Sequence, residues 1–283
     1  LSSGKEALMN VADSFANAAL CYPDKKALIF GDTGYTYSEM HRIINGLAAY
    51  LQKLGISKGD HIALYMANRP EWIMVYFGAA RIGAVTVCVP GAYKTEEMKE
   101  VVNDSRASLL VTSEALSSLL PPSDSIPLVR QVLVVERDET FQSILRGEGL
   151  QPFKADAGTT GDDTCAILYT GGTTGVPKGA MLTHRNLLYS AQNVIFHERL
   201  MPEDIGVCSL PLNHVFAQCH VMHTYFYGCA TLVLFPGFDM DRVIAAILKH
   251  RVTHFYAVPT IFIRFLNNPE TREQLKSVRY VFS

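Results

Sequence analysis

The stretch ILYTGGTTGVPKG, residues 167–179, decides the fold that we expect for this chain. It begins with apolar residues typical of a buried strand and continues into glycines, threonines and one lysine. Glycine lacks a Cβ atom, so the backbone N–H groups of such a loop can converge on an anion. The hydroxyls add donors and the lysine adds a positive charge. An ordinary turn needs one or two glycines and has no need of the other residues. The stretch therefore predicts a strand followed by a polyphosphate-binding loop.

Two familiar nucleotide-binding loops do not match this pattern. A Walker loop needs Gly-Lys-Ser/Thr at the start of a helix, whereas Val176 and Pro177 separate Gly175 from Lys178 here. A Rossmann loop needs G-x-G-x-x-G after an early strand, with an acidic residue further on, and the sequence has no such combination. The candidate phosphate-binding residues are Thr170, Gly171, Gly172, Thr173, Thr174, Gly175 and Lys178.

Strand and helix signals alternate on both sides of this loop. The clearest helix starts at a capping box formed by Thr36 and Glu39 and stops at Gly55. Further helices are predicted at 71–82, 95–103, 113–120, 139–146, 183–200, 215–227, 239–250 and 260–266. Strands are predicted at 61–67, 84–89, 109–112, 132–135, 165–169, 180–182, 207–210, 230–235, 254–258 and 278–282. This alternation predicts βαβ units and mostly parallel sheets, with residues 147–163 as a connecting loop.

Composition narrows the class of protein further. The chain has 283 residues, of which 48% are hydrophobic, and this is enough apolar material for a sizeable core. A net charge of -2 leaves no overall positive field for nucleic acid, so none is expected as a partner. No apolar run reaches the roughly 20 residues that span a bilayer, and no leader pattern is seen at the start of the sequence. The six cysteines form no C-x-x-C pair, so a reducing, cytoplasmic location is predicted.

Several blocks together resemble the adenylate-forming enzymes, a family that includes acyl-CoA synthetases, luciferases and peptide-synthetase adenylation domains. The loop YTGGTTGVPKG with the following AMLTHRN is similar to the family signature. Residues 36–72 and 78–93 resemble earlier family blocks, and SLPLNHVFAQ (209–218) and FYAVPTIFIRFL (255–266) resemble later ones. The commonest family loop has Ser where this chain has Gly172, which removes a hydroxyl donor but keeps a backbone N–H.

The resemblance implies the fold class. We expect an α/β fold that is the large N-terminal domain of an adenylate-forming enzyme, with two βαβ-type layered subdomains, and a truncated one. Residues 61–204 would form the first subdomain, which carries the phosphate loop, while 1–60 and 205–283 would be parts of the second. The adenine, ribose and metal contacts and the catalytic lysine of the family would follow Ser283, so this chain alone is expected to be inactive and to expose a strand edge.

The resemblance also implies a reaction. With Mg²⁺ present, the carboxylate would attack the α-phosphate of ATP to give an acyl-adenylate and pyrophosphate. The thiol of coenzyme A would then displace AMP. The phosphate loop would hold the β- and γ-phosphates, with Thr173 and Thr174 near the metal. His214 would orient the carboxylate or the α-phosphate, and it is the candidate catalytic residue. It is not expected to act as a general base, because a carboxylic acid is already ionised at neutral pH.

The block at residues 210–217 contains no acidic residue, although the amino-acid-activating members of the family carry an Asp there. An acid without an α-amino group is therefore favoured, and Phe216 and Val258 are the candidate residues for its tail. The resemblance is closest to medium- and long-chain fatty acid–CoA ligases. An aryl acid, a non-catalytic nucleotide- or acyl-binding fragment, peripheral membrane association and a homodimer all stay open.

His214, Cys219, His220 and His223 are potential metal ligands or packed side chains. Their spacing is not that of a closed zinc site, so His220 and His223 are expected to be packed or surface residues.

Overall fold

The computed structural model describes residues 10–148, 153, 158–170, 177–268 and 270–283. Its strands are β1 (Lys26–Phe30), β2 (Thr33–Thr36), β3 (His61–Tyr65), β4 (Val85–Cys88), β5 (Leu109–Thr112), β6 (Gln131–Val134), β7 (Thr164–Thr170), β8 (Lys178–Thr183), β9 (Ile205–Cys208), β10 (Thr231–Leu234), β11 (His254–Tyr256) and β12 (Tyr280–Phe282). Its α-helices are α1 (Asp13–Cys21), α2 (Tyr37–Lys53), α3 (Pro70–Arg81), α4 (Thr95–Asp104), α5 (Glu114–Ser117), α6 (Glu139–Leu145), α7 (His184–Glu198), α8 (His223–Tyr227), α9 (Met240–His250), α10 (Pro259–Leu266) and α11 (Thr271–Gln274). A 3₁₀ turn covers Ser123–Ser125 and a π-helix covers Phe216–Met222.

The described strands form two six-stranded sheets. The first sheet has the order β6-β5-β3-β4-β7-β8, and every pairing in it is parallel except that of β7 with β8. The second has the order β12-β11-β9-β10-β1-β2, and only β1 and β2 pair antiparallel. Parallel neighbours need crossover connections, which the intervening helices supply. The predicted α/β class with mostly parallel sheets is confirmed.

The largest buried cluster lies between the two sheets. It contains Leu64 of the first sheet and Leu232 of the second, together with Ile44 of α2 and Phe77 of α3. Separate clusters cover the far faces, where α4 packs on the first sheet and α9 on the second. The arrangement has alternating layers of helix and sheet, so both faces of each sheet are buried, as parallel sheets require.

The capping box that the sequence predicts for α2 is present. The Glu39 N–H donates to Thr36 Oγ1 at 3.1 Å, and the Thr36 N–H donates to Glu39 Oε2 at 2.7 Å. These bonds satisfy two backbone donors that the first helical turn leaves without partners. At the other end Gly55, just beyond the helix, has φ of +80°, a conformation that glycine adopts without strain.

Several local expectations differ from the structure. Strand β8 begins at Lys178, whereas the sequence analysis placed this residue in a loop; antiparallel pairing with β7 draws Lys178 and Gly179 into the sheet. The helix expected at 215–227 is a π-helix followed by α8, because periodicity over so few residues does not separate the two helix types. The structure also has α1, β1, β2 and α11, for which the sequence predicted no element.

Four of the cysteines are buried, while Cys21 is exposed and Cys229 is half-buried. Burial raises the pKa of the Cys165, Cys208 and Cys219 thiols to about 12. These thiols therefore stay protonated near neutral pH and act as small apolar side chains.

Candidate functional site at the carboxyl ends of the strands

Loops from both sheets meet at the carboxyl ends of their parallel strands. A cavity of about 230 Å³ lies there. Its lining residues are Met66, Ala67 and Asn68 after β3, Pro90, Gly91 and Ala92 after β4, Ser209, Pro211 and Asn213 after β9, and Pro236 and Gly237 after β10. Open α/β sheets bind their ligands at this edge, because the loops that follow the strands converge there. We take this cleft as the candidate site.

Asn68 connects the loops that line the cleft by hydrogen bonds, and no sequence pattern indicated this role. Its side-chain amide donates to the carbonyl of Leu210 at 2.8 Å and to that of Phe235 at 3.1 Å. Its carbonyl oxygen accepts from the Leu212 N–H at 2.8 Å. Asn68 is buried, so these bonds satisfy backbone groups that water does not reach. One side chain after β3 thus fixes the loop after β9 and the end of β10.

The phosphate loop starts and ends at the edge of the first sheet. Thr170 and Lys178 are register partners at the last pairing of β7 with β8, and both are exposed. A Cβ atom on Gly179 would lie 2.7 Å from Ile167 Cγ2, so this glycine is needed for the close approach of the two strands. The other candidate phosphate-binding residues, Gly171, Gly172, Thr173, Thr174 and Gly175, lie outside the described residues, and so does the metal site expected at Thr173 and Thr174.

His214 lies in the loop between β9 and the π-helix and is exposed. Its backbone N–H donates to the Pro211 carbonyl at 3.0 Å, and its own carbonyl accepts from the Gln218 N–H at 3.0 Å. The ring nitrogen Nδ1 accepts from the Phe216 N–H at 3.3 Å. In a neutral imidazole with Nδ1 as acceptor, the proton is on Nε2. His214 therefore has an N–H donor available for an anionic oxygen.

An aromatic wall adjoins His214. It consists of Phe216, His220, Tyr256 and Phe282, which come from the π-helix, β11 and β12. The His220 ring stacks on Phe282 with centroids 4.4 Å apart, and Phe216 meets His220 edge-on at 5.3 Å. Val258, the second residue expected to contact the acid's tail, follows β11 at the start of α10 and is 40% exposed.

Glu198 lies behind the aromatic wall, and no sequence pattern indicated a role for it. The carboxylate accepts from Tyr256 Oη–H at 2.5 Å and pairs with His220 Nε2 at 2.7 Å. Glu198 is buried at the last residue of α7. Burial, reinforced by the neighbouring Tyr225 and Glu198, raises the pKa of Tyr256 well above its usual range, so its hydroxyl stays protonated. No local sequence pattern indicates a bond between residues 22 and 58 positions apart.

The structure connects the predicted residues in two groups. Thr170 faces Lys178 across the β7–β8 ladder, while a hydrogen bond joins His214 to Phe216. Within the described part of the chain, no hydrogen bond or ion pair joins the two groups. His223, which the sequence analysis weighed as a metal ligand, is buried and bonded to the Tyr76 hydroxyl at 3.0 Å. Burial lowers its pKa to about 3. No set of three or more histidine, cysteine, aspartate or glutamate side chains with metal-binding geometry occurs among the residues that the structure describes.

The helices in the described ranges are all too short or too polar to cross a bilayer.

Two mostly parallel sheets with a cleft at the carboxyl ends of their strands, and a Gly/Thr sequence between β7 and β8, define this chain as an adenylate-forming type of α/β domain. A family model described as AMP-binding enzyme matches residues 15–283. The chain therefore belongs to the AMP-binding enzyme family, and the resemblance found in the sequence is confirmed.

Two curated relatives show how much of such an enzyme this chain covers. It is 33% identical over 269 residues to 4-coumarate–CoA ligase 3 of Arabidopsis thaliana, an alignment covering 92% of this chain and 48% of that protein. It is 30% identical over 295 residues to crotonobetaine/carnitine–CoA ligase of Proteus mirabilis, covering 98% of this chain and 56% of that protein. The chain spans about half the length of these relatives.

Solved structures share the fold. The inhibitor-bound N-terminal domain of FACL13 from Mycobacterium tuberculosis matches with a TM-score of 0.86 and 28% identity, covering 96% of this chain and 69% of that one. An anthranilate–CoA ligase in complex with anthranoyl-AMP matches with a TM-score of 0.88 over 99% of this chain and 55% of that one. At 23% identity the second likeness concerns the fold alone.

Proposed function

We propose that this chain is part of an enzyme that activates a carboxylic acid with ATP to an acyl-adenylate and then transfers the acyl group to coenzyme A. A medium- or long-chain fatty acid is the proposed substrate. The observation that carries the proposal is the junction of His214 with the aromatic wall. An N–H donor that suits a carboxylate, beside a surface that suits an apolar tail, supports this proposal.

The proposed roles follow from the chemistry of the residues. Thr170, Lys178 and the loop between them would bind the β- and γ-phosphates. Lys178 is suited to this because it is the cation of the loop, and its exposed ammonium can form charge-assisted bonds. Mg²⁺, which Thr173 and Thr174 would approach, supplies positive charge that offsets the charge of the phosphates. His214 would orient the carboxylate, and Phe216 and Val258 would contact the tail. Catalysis of this kind depends mostly on positioning and on electrostatic stabilisation.

An aryl acid is the second candidate substrate. Phe282, whose ring stacks on that of His220, is 45% exposed, and a planar acid can pack against an exposed aromatic ring. The relative from Arabidopsis thaliana is named for a 4-coumarate ligase activity, which also supports this candidate.

ATP–pyrophosphate exchange by the full-length gene product tests the proposal. The panel should contain fatty acids of increasing length, cinnamate and an amino acid. We expect exchange with the fatty acids, and faster exchange with cinnamate would favour the aryl acid instead. No exchange with any acid would overturn the proposed activity and leave nucleotide or acyl binding without catalysis.

We propose that the first sheet with its helices (61–204) and the second (1–60 with 205–283) act as two subdomains. We also propose a cytoplasmic location, and no acyl-adenylate formation by residues 1–283 alone. The inactivity of residues 1–283 is proposed because the relatives are about twice as long, so part of the reactant-binding site would be missing. A reactant that is not held in position reacts more slowly by orders of magnitude.

A further inference from the structure

The buried carboxylate of Glu198 lies in a position that is unfavourable for the stability of the folded chain. It ends α7, and the negative end of a helix dipole disfavours an anion there. Its side chain is 8% exposed, so water offers little compensation. Only His220 and Tyr256 donate to it within the described part of the chain. Packing alone does not require this arrangement, since an apolar side chain of similar size would fill the same space.

What Glu198 does is fix the ring of His220. The hydrogen bond to Glu198 places a proton on Nε2, so that the neutral ring has its lone pair on Nδ1. Phe282 stacks on one face of the ring, and the edges of Phe216 and Tyr256 restrict its rotation. In the described part of the chain, no hydrogen bond is formed by Nδ1, and 19% of the side chain remains exposed. His220 is thus an oriented hydrogen-bond acceptor within an otherwise aromatic wall.

We propose that His220 is a specificity-determining residue that accepts a hydrogen bond from a hydroxyl group on the carbon skeleton of the acid. The proposal rests on the proposed function, since it concerns the tail of that same substrate. A carboxylate on the acid has no proton to donate, so it cannot form a hydrogen bond to Nδ1 as the acceptor. A plain alkyl tail would displace water from Nδ1 without forming a hydrogen bond in its place. A hydroxyl group is neutral and carries a proton that Nδ1 can accept in a hydrogen bond.

The test compares two acids that differ only in the hydroxyl. Decanoate and its terminally hydroxylated counterpart form one pair, and cinnamate and para-hydroxycinnamate form a second. For each pair, kcat/KM for pyrophosphate release by the full-length gene product gives a hydroxyl preference. We expect the wild type to prefer the hydroxylated acid by about tenfold in at least one pair, which is the effect of one well-made hydrogen bond.

Two variants and one control test whether His220 causes the preference for the hydroxylated acid. His220→Phe keeps the aromatic stack and removes Nδ1, so the preference should fall to about onefold to twofold. Glu198→Gln lowers the preference as well, because the amide can also donate to Nε2 and so reverse the tautomer. His250→Phe makes the same chemical change on α9, which packs on the opposite face of the second sheet, and should keep the full preference. Melting temperatures show that each variant is folded.

Direct binding separates this inference from the proposed activity. Calorimetric titration with each acid pair measures the hydroxyl preference even where no pyrophosphate is released. Turnover of both members of each pair at equal kcat/KM would overturn the role of His220 and leave the ligase activity intact. An unchanged preference in folded His220→Phe would do the same. Absence of turnover together with tighter binding of the hydroxylated acid would overturn the activity but support the binding role.

Discussion

The side-chain oxygen of Asn68 accepts a hydrogen bond from the backbone N–H of Leu212 at 2.8 Å, across 144 positions of sequence. The same side chain donates to two further backbone carbonyls, so three buried groups depend on it. We expect Asn68→Ala to lower the free energy of unfolding by about 2–4 kcal/mol, because each unsatisfied buried group costs about 1–3 kcal/mol and the site relaxes in part. Urea denaturation measures this change. Asn103→Ala, which removes one bond to the Ser125 carbonyl at a half-buried position, is the matched control. Equal losses in the two variants would contradict the central role of Asn68.

Lys178 is predicted to bind phosphate and not to support the fold, because its side chain is exposed at the start of β8. Lys178→Ala in the full-length protein should therefore keep the melting temperature and lower the rate of pyrophosphate exchange by about tenfold or more, the effect expected for the loss of one charge-assisted hydrogen bond. Lys99→Ala removes a half-buried lysine, one paired with Glu96 on α4, and should leave the exchange unchanged. Unchanged exchange in Lys178→Ala would rule out the assignment of the phosphate loop.

Phe216 is predicted to contact the tail of the acid. Phe216→Asp would place a carboxylate against Phe282 and His220, and an unpaired charge in such surroundings costs several kcal/mol. The kcat/KM for decanoate should fall by about tenfold or more, while ATP binding persists. Phe196→Asp, on the exposed side of α7, provides the control. Equal activity with decanoate before and after the Phe216 change would show that this residue does not line the acyl site.

The features that the sequence predicted depend on contacts between residues close together in the chain. The features that it did not predict depend on contacts between residues far apart in the chain. The capping box of Thr36 and Glu39 spans three residues, so its pattern is visible in the sequence, and the alternation of strands and helices is equally local. The bonds of Asn68 and of Glu198 join distant segments, and either residue alone resembles an ordinary polar side chain. The composition of the phosphate loop indicated its chemistry, but the geometry of residues 171–176 stays a prediction.

His223 predicts how stability depends on pH. Burial lowers its pKa from an ordinary 6.5 to about 3, so the unfolded chain binds more protons than the folded one between these values. The free energy of unfolding should therefore rise with pH through this window, and the stability is lost as the pH falls from about 6.5 towards 3. The contribution of this group is at most about 1.4 kcal/mol per pH unit.

A non-titrating replacement isolates the contribution of His223. In His223→Gln the amide can still pair with the Tyr76 hydroxyl, but it takes up no proton. Urea denaturation between pH 6 and pH 4 should show a smaller slope of stability against pH than in the wild type. His197→Gln, at an exposed position of α7, should keep the wild-type slope. Identical slopes in all three proteins would mean that His223 does not titrate with unfolding.

Strand β12 predicts self-association of residues 1–283. Among the strands that the structure describes, it is the last of the second sheet and pairs with β11 alone. Tyr280, Val281 and Phe282 are 36%, 60% and 45% exposed. An apolar edge strand with free N–H and C=O groups can pair with another chain, whereas a lysine on such an edge opposes this pairing. Light scattering should therefore show dimers or larger species at micromolar concentration, and Val281→Lys should shift the protein towards monomer. Leu248→Lys changes an exposed leucine of α9, away from any strand edge, and should leave the association unchanged. A monomeric wild-type chain would refute the role of the β12 edge, and equal effects of the two lysines would point to general surface hydrophobicity instead.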